Sequence, residues 1–257
     1  MTQKGNALVI GASGGLGREV YRQLLASGQY ETVYGISRQV TQKPSADISY
    51  FVKGAKLIEL DYTKESAVAD FCHGLVHQGQ FTRIICCSGV LHGVTDNGVK
   101  LHPEKRLEEL SADTLSAYFA TNTVLPALWL RYLLPLVKGS LSADVSFFSA
   151  RVGSIEDNNL GGWYGYRASK AALNMLVKTA QVEYQRRAKN VTLVCYHPGT
   201  VDTPLSEPFQ NNVKPEKLFT SEFSVSRLLL HLSTVQPDKA LILSIGTAKR
   251  SRGEKAN

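Results

Sequence analysis

Cysteine is scarce, and the few that occur lack the spacing that metal sites or disulfide frameworks require. The 257-residue chain has four, Cys72, the adjacent Cys86 and Cys87, and Cys195. No C-x-x-C pair is formed and Cys86-Cys87 lies in an apolar, strand-like run, which argues against a zinc site or a stapled secreted fold and for a reduced, cytoplasmic protein. Long apolar runs are also missing. The longest, residues 124–137, contains Arg131 and two prolines and is shorter than the ~20 residues a membrane-spanning helix needs. Met1-Thr2-Gln3-Lys4-Gly5-Asn6 leads straight into a strand pattern rather than an apolar signal core. Internal repeats and low-complexity linkers are absent. His73 and His77 stand four apart, but no glutamate completes an H-E-x-x-H set, so no metal site is expected. No nucleic-acid recognition motif accompanies the formal charge of +7, and nucleic acid is therefore not an expected partner. Part of that charge lies in residues 249–257, a basic tail with the character of a frayed, solvated terminus; the rest suits a protein that binds a polyphosphate.

What is present is an ordinary globular composition, 43% hydrophobic and 20% charged, patterned as short apolar runs alternating with longer amphipathic segments. That alternation predicts an α/β fold, a single doubly wound Rossmann-like domain over residues 1–248 with a seven-stranded parallel sheet. Strands are predicted at 7–10, 32–37, 56–60, 83–87, 144–149, 191–196 and 240–245. Helices are predicted at 16–27, 64–78, 111–137, 166–188 and 221–233, the third opened by the N-cap set Ser111-Ala112-Asp113. Residues 204–220, with three prolines and two adjacent asparagines, have no period and fit a loop or lid over a crevice.

Directly after the first strand stands Gly11-Ala12-Ser13-Gly14-Gly15-Leu16-Gly17, followed at once by a helix. Glycines allow a tight turn and close approach to a pyrophosphate, whose charge meets the free N–H groups of the helix start. At the end of the second strand, Gly35-Ile36-Ser37-Arg38 carries no carboxylate to accept from a free ribose. Arg38 can pair with a 2′-phosphate, so NADP(H) is expected over NAD(H), with Arg18 as a second positive contact. Asp61, ending the third strand, is positioned for the adenine side. Further on, Tyr166 and Lys170 stand four apart on a predicted helix and hence on one face. An ammonium there is expected to lower a tyrosine pKa that is ordinarily near ~10, suiting proton exchange with an alcohol or carbonyl oxygen.

Together, Gly11-x-x-x-Gly15-x-Gly17, Tyr166-x-x-x-Lys170 and Pro198-Gly199-Thr200-Val201-Asp202-Thr203 resemble the short-chain dehydrogenase/reductase family over nearly the whole chain. Ser149-Ala150-Arg151-Val152-Gly153-Ser154-Ile155 and Trp163-Tyr164-Gly165-Tyr166-Arg167-Ala168-Ser169-Lys170 look most like its C-factor and sniffer-type carbonyl reductase branch. The resemblance implies an oxidoreductase that interconverts a carbonyl and an alcohol. Tyr166 would be the acid/base, Lys170 would hold the nicotinamide ribose, and Asn122 would link that lysine through water to solvent. It also implies cofactor contacts from Gly11, Ser13, Gly15, Leu16, Gly17, Ser88, Gly89, Pro198, Gly199 and Val201, with Thr203 on the carboxamide. In the family the helices at 111–137 and 166–188 form a subunit interface, which implies a homodimer or homotetramer.

Two departures stand out. Cys86-Cys87-Ser88-Gly89 replaces the family's Asn-Asn-Ala-Gly, keeping the glycine and losing an asparagine's stabilising bonds. The substrate-orienting serine usually stands three residues before a glycine, and three before Gly153 is Ala150. Either Ser149 turns inward, or Ser154 substitutes, or the hydroxyl is dispensed with; Ser149 is the expected donor. The competing expectation is a cofactor-binding sensor with little turnover, since fold alone does not settle function. His197 stands beside the presumed nicotinamide, either against substrate or in a structural role. The small-molecule substrate would be shaped by residues 91–94, 154–163 and 204–220, and the insertion 91–106 is expected at the crevice rim.

Overall fold

The structure, a computed structural model, describes residues 4–39 and 54–234, and the backbone of 241–244. The predicted tail 249–257 lies outside the described residues. In chain order the elements are β1 (Asn6–Ile10), α1 (Gly15–Ala26), β2 (Val33–Ser37), β3 (Ala55–Glu59), α2 (Glu65–Leu75) and β4 (Phe81–Cys86). There follow the short antiparallel strands β5 (Gly93–Val94) and β6 (Lys100–Leu101), then α3 (Ala112–Phe119), α4 (Leu125–Val137), β7 (Ala143–Phe148) and α5 (Tyr164–Arg187). The chain continues with β8 (Val191–His197), the short parallel pair β9 (Thr200–Val201) and β10 (Leu218–Phe219), α6 (Ser221–Leu232) and β11 (Leu241–Ser244).

The main sheet runs β11-β8-β7-β4-β1-β2-β3 and every neighbouring pair is parallel. Six of these strands have described side chains; β11 joins β8 by its backbone. Every residue of β1, β2 and β7 is buried, as expected of a parallel sheet covered on both faces; the run Ala7–Ile10 of β1 is wholly apolar, while β7 buries Asp144 and Ser146 as well. One cover is α2, α4 and α5, packed through Val68, Trp129, Leu133 and Leu173. The other is α1 and α6, packed through Val20, Leu24, Val225 and Leu228. After β3 the chain crosses back to the far side of β1 to form β4, so the strand order reverses between β1 and β4. In such sheets the ligand crevice opens at the carboxyl ends of the strands flanking that reversal.

One predicted helix is divided. Residues 111–137 begin as foreseen, with Ser111 Oγ accepting from the Thr114 N–H at 3.2 Å. They then widen into a π-helical segment, Ala120–Val124, between α3 and α4. The cause is a contact across the chain: Asn122, completely buried, turns its amide to the loop after β4, and such bulges often mark functional sites. The helices otherwise begin and end within a few residues of expectation; the largest difference is at the C-terminal end of 64–78, where three residues lie beyond α2.

Candidate active site

The glycine loop joins β1 to α1 at the reversal. Gly11 has φ +84°, and a Cβ there would stand 3.3 Å from the backbone N of Ser88. A Cβ on Gly17 would fall 2.0 Å from the Gly11 carbonyl oxygen. α1 starts from Gly14 with no side-chain cap and no acidic residue in its first turn. Its first N–H groups and its dipole are therefore uncompensated, as an anionic ligand requires. Gly11, Ser13, Gly15, Arg38, Asp61, Ser88 and Gly89 all line one crevice of about 1510 Å³. Ser13 Oγ and Ser37 Oγ lie 2.5 Å apart. The residues present fit a dinucleotide: an uncapped helix start, a glycine floor that any Cβ would obstruct, and a cation at the end of β2. Arg38, half exposed, stands 3.5 Å from Asp96 of the 91–106 insertion, which confirms that insertion at the rim. Asp61 is exposed and held by Lys64 at 3.1 Å. Leu16 is half-buried and packs on the α1/α6 core rather than lining the crevice.

Tyr166 and Lys170 occupy the first turns of α5, both buried. Lys170 Nζ donates to the Phe148 carbonyl at 2.9 Å and stands 5.8 Å from the centre of the Tyr166 ring. Asn122 is beside them: its Nδ2 donates to Ser169 Oγ at 3.1 Å and to the Val90 carbonyl at 3.0 Å, while its Oδ1 accepts from the Val90 N–H at 2.8 Å. A Cβ on Gly89 would lie 3.3 Å from Lys170 Nζ and 3.4 Å from Asn122 Oδ1, so β4's loop, the π segment and α5 meet at one point. Thr203 donates to the Val201 carbonyl at 3.2 Å and touches the space a Gly15 Cβ would fill. The Pro198-Gly199 turn uses φ +77° at Gly199, and the Pro198 carbonyl accepts from Ser224 Oγ at 3.0 Å.

The electrostatics differ from expectation at the tyrosine. Tyr166 sits in an apolar cluster with Tyr118, Leu91, Leu101, Trp163, Ala150 and Phe209, and burial raises its pKa instead of the ammonium lowering it. The same burial pushes Lys170 down to about 8, against the smaller opposing effects of Cys86 and Cys195. Both shifts follow from removal of charge from water. His197 is pushed down to about 4, chiefly by burial and then by Arg151, and its Nδ1 accepts from the Gly199 N–H at 3.3 Å. This is a structural role in the turn.

Ser149 is not brought to Tyr166. Its hydroxyl is buried and donates to Asn174 Oδ1 at 2.7 Å. Successive residues at a strand end face opposite ways, and it is the methyl of Ala150 that packs in the cluster holding Tyr166. Ser154, the other candidate, is exposed and accepts from the Asp157 N–H at 3.2 Å.

Sequence reasoning also missed Glu104. It is 1% exposed; Oε2 accepts from the Gly165 N–H at 3.1 Å, and its carbonyl accepts from the Trp163 N–H. Oε1 has no partner among the described residues. Trp163, with φ +56°, is the left-handed residue from which α5 starts. No sequence signal separates this glutamate from the exposed Glu108 and Glu109 that follow it. The 204–220 loop is packed down on the same corner: Phe209 meets Trp163 with ring centres 5.1 Å apart, and His92 Nε2 lies 3.0 Å from the Pro204 carbonyl. Among the described residues no helix is long and apolar enough to cross a membrane and no acidic, histidine or cysteine cluster could hold a metal; the four cysteines are free thiols.

This arrangement defines a Rossmann-type oxidoreductase. Residues 5–214 match the short chain dehydrogenase family model, and the chain belongs to that family. An uncharacterized oxidoreductase of Saccharomyces cerevisiae is 26% identical over 243 residues, covering 90% of each chain. The benzil reductase ((S)-benzoin forming) of Bacillus subtilis is 26% identical, over 81% of this chain and 79% of its own. The C-signal protein of Myxococcus xanthus is 34% identical over 90 residues, 35% of this chain and 53% of its own. The NADPH-bound carbonyl reductase from chicken fatty liver superposes with a TM-score of 0.77 at 23% identity, covering 95% of this chain and 97% of that one. Sniffer, a carbonyl reductase of D. melanogaster, gives 0.76 at 21%, covering 94% and 100%. These likenesses agree with the C-factor and sniffer-type branch read from the motifs.

Proposed function

We propose that the chain is an NADP(H)-dependent carbonyl reductase, interconverting a carbonyl and an alcohol with Tyr166 as the general acid/base. The observation that carries this reading is the convergence of Tyr166, Lys170 and Asn122 at the end of β4, beside an uncapped helix start that fits a pyrophosphate. NADP(H), when bound, supplies or accepts the hydride. Gly11, Ser13, Gly15, Gly17, Ser88 and Gly89 would form its phosphate and ribose floor, whereas Leu16, packed on the α1/α6 core, is left out. Arg38 would meet the 2′-phosphate and Asp61 the adenine side. Pro198, Gly199, Val201 and Thr203 would hold the carboxamide end.

The phenol of Tyr166, kept protonated by burial, is poised to donate to a carbonyl oxygen, and burial thus favours the reduction direction. Lys170, cationic below about pH 8, would hold a ribose hydroxyl and favour the tyrosinate left after proton transfer. Asn122 fixes the loop and the helix against each other, so that Tyr166 and Lys170 keep their placement. With Ala150 at the family's serine position, the substrate carbonyl lacks one hydroxyl donor there. Ser149, engaged by Asn174, is left out of the proposed machinery.

The benzil reductase relatives support an aromatic carbonyl as the substrate class. A sensor without turnover is not favoured, because the Tyr166, Lys170 and Asn122 set is complete and the family is one of oxidoreductases. Mixing the protein with NADPH and a panel of aldehydes, aryl ketones and quinones tests the reading. Oxidation of NADPH on addition of a carbonyl supports it; tight NADPH binding with no oxidation across the panel overturns it. A homodimer or homotetramer is part of the same proposal, supported by exposed Val124, Met175 and Val182 on the helical face of the π segment and α5. Sedimentation giving only the mass of one chain at micromolar concentration would contradict it.

A further inference from the structure

A second cavity, of about 580 Å³, lies beside the first on the far side of the 91–102 hairpin. Val94 and Leu101 line both spaces, so the two adjoin at that hairpin. Its apolar wall includes Trp163 and Phe209. Trp163 touches Tyr166 edge-on with ring centres 6.1 Å apart, so this wall continues into the cluster around the proposed acid. The volume falls in the range of small-molecule sites.

The rim has one sign of charge. Lys100 and Lys105 line it with His92 and His102, and no aspartate or glutamate does. Both lysines are exposed, and neither is ion-paired among the described residues. Three neighbouring carboxylates are engaged elsewhere, Glu104 by the Gly165 N–H, Glu109 by Arg106 and the backbone N–H of Lys105, and Asp96 by Arg38; Glu108 is exposed and does not line the cavity. An apolar aromatic wall that touches the Tyr166 ring, bounded by cations without an ion-pair partner among the described residues, matches a ligand with an aryl body and an anionic end.

We propose that this cavity is the outer part of the substrate site and selects aryl ketones that carry a carboxylate, with Lys100 and Lys105 meeting the carboxylate and Trp163 and Phe209 the ring. The inference rests on the carbonyl reductase reading for its chemistry, but the binding site can be tested apart from it. The probes are 4-benzoylbenzoate and its methyl ester, the same aryl ketone with and without charge.

Binding is measured first, by calorimetric titration of the protein in the presence of NADP. At low ionic strength the acid is expected to bind about tenfold more tightly than the ester, the scale for two partly exposed charge contacts. Added salt should erode the difference by screening. The Lys100→Glu/Lys105→Glu protein should lose the preference while binding the ester as before. Turnover with NADPH is measured second, where the same ratio should appear in KM with kcat unchanged. Equal binding of acid and ester, or a preference that survives the double substitution, overturns the proposal whatever the turnover. A lysine-dependent preference without turnover of either compound upholds the cavity and instead counts against the reductase reading.

Discussion

Lys170 donates to the carbonyl of Phe148, the last residue of β7, at 2.9 Å, and that bond fixes a buried ammonium beside the ring of Tyr166. Burial makes the ammonium unusually easy to deprotonate, at about pH 8. A lysine whose pKa is depressed loses its charge as pH rises through the depressed value, so the cationic form, proposed to hold the ribose, is present below about 8 and lost above it. We expect kcat/KM for carbonyl reduction to fall as pH rises through about 8, a range in which an exposed lysine would remain charged. A profile flat up to pH 10 would be inconsistent with a working charge at this position.

Ser149 and Ala150 make opposite predictions. Because Ser149 donates to Asn174 within the structure, Ser149→Ala should leave kcat within about twofold and lower the melting temperature, the loss of a buried hydrogen bond being worth about 1 kcal/mol. Ala150→Ser should place a hydroxyl in the cluster that holds Tyr166 and raise kcat/KM. The gain should reach about tenfold, short of the ~10²–10³ that one optimally placed donor supplies. Steady-state kinetics and thermal melts of both variants decide the matter.

Arg38 is half exposed and paired only loosely with Asp96, at 3.5 Å. Replacing it with glutamate should weaken NADPH binding by about tenfold or more, since a charge-assisted contact is replaced by repulsion, while NADH binding is unaffected or improved. The comparison is made by titrating both cofactors against both proteins.

Glu104 ties the 91–106 insertion to the start of α5 through Gly165 and Trp163. Glu104→Ala removes the acceptor of a buried backbone N–H and should destabilise the chain by about 1–3 kcal/mol. Glu104→Gln keeps the acceptor for the Gly165 N–H and, with its amide in the place of the unpartnered Oε1, should cost less than the alanine, which loses the acceptor and leaves a cavity. Denaturant unfolding of the pair tests the order.

The framework of the site was legible because its parts are tied to chain-local rules. Glycines between β1 and α1 follow from the need for an approachable backbone, Arg38 from its place at a strand end, and Tyr166 with Lys170 from helical spacing. What escaped the sequence depends on packing across the chain. The π segment at Asn122 exists because a loop from β4 satisfies the amide, and nothing in 111–137 announces it. The inward turn of Glu104 is invisible in a segment rich in charge. The direction of the Tyr166 shift is not legible in the sequence, because helix geometry places the ammonium beside the ring but does not reveal the apolar enclosure, and burial dominates. Ser149's partner, Asn174, lies a quarter of a hundred residues away along the chain, beyond any local pattern.

The proton on the Tyr166 oxygen is the centre of the account, and Tyr166→Phe examines it with the least disturbance, since the ring and its contacts with Trp163 and Tyr118 are retained. With NADPH affinity measured alongside, kcat for an aryl ketone is predicted to fall by about 10²–10⁴-fold while cofactor binding changes little. A Tyr166→Phe protein that binds NADPH and reduces the ketone at the wild-type rate would contradict the account.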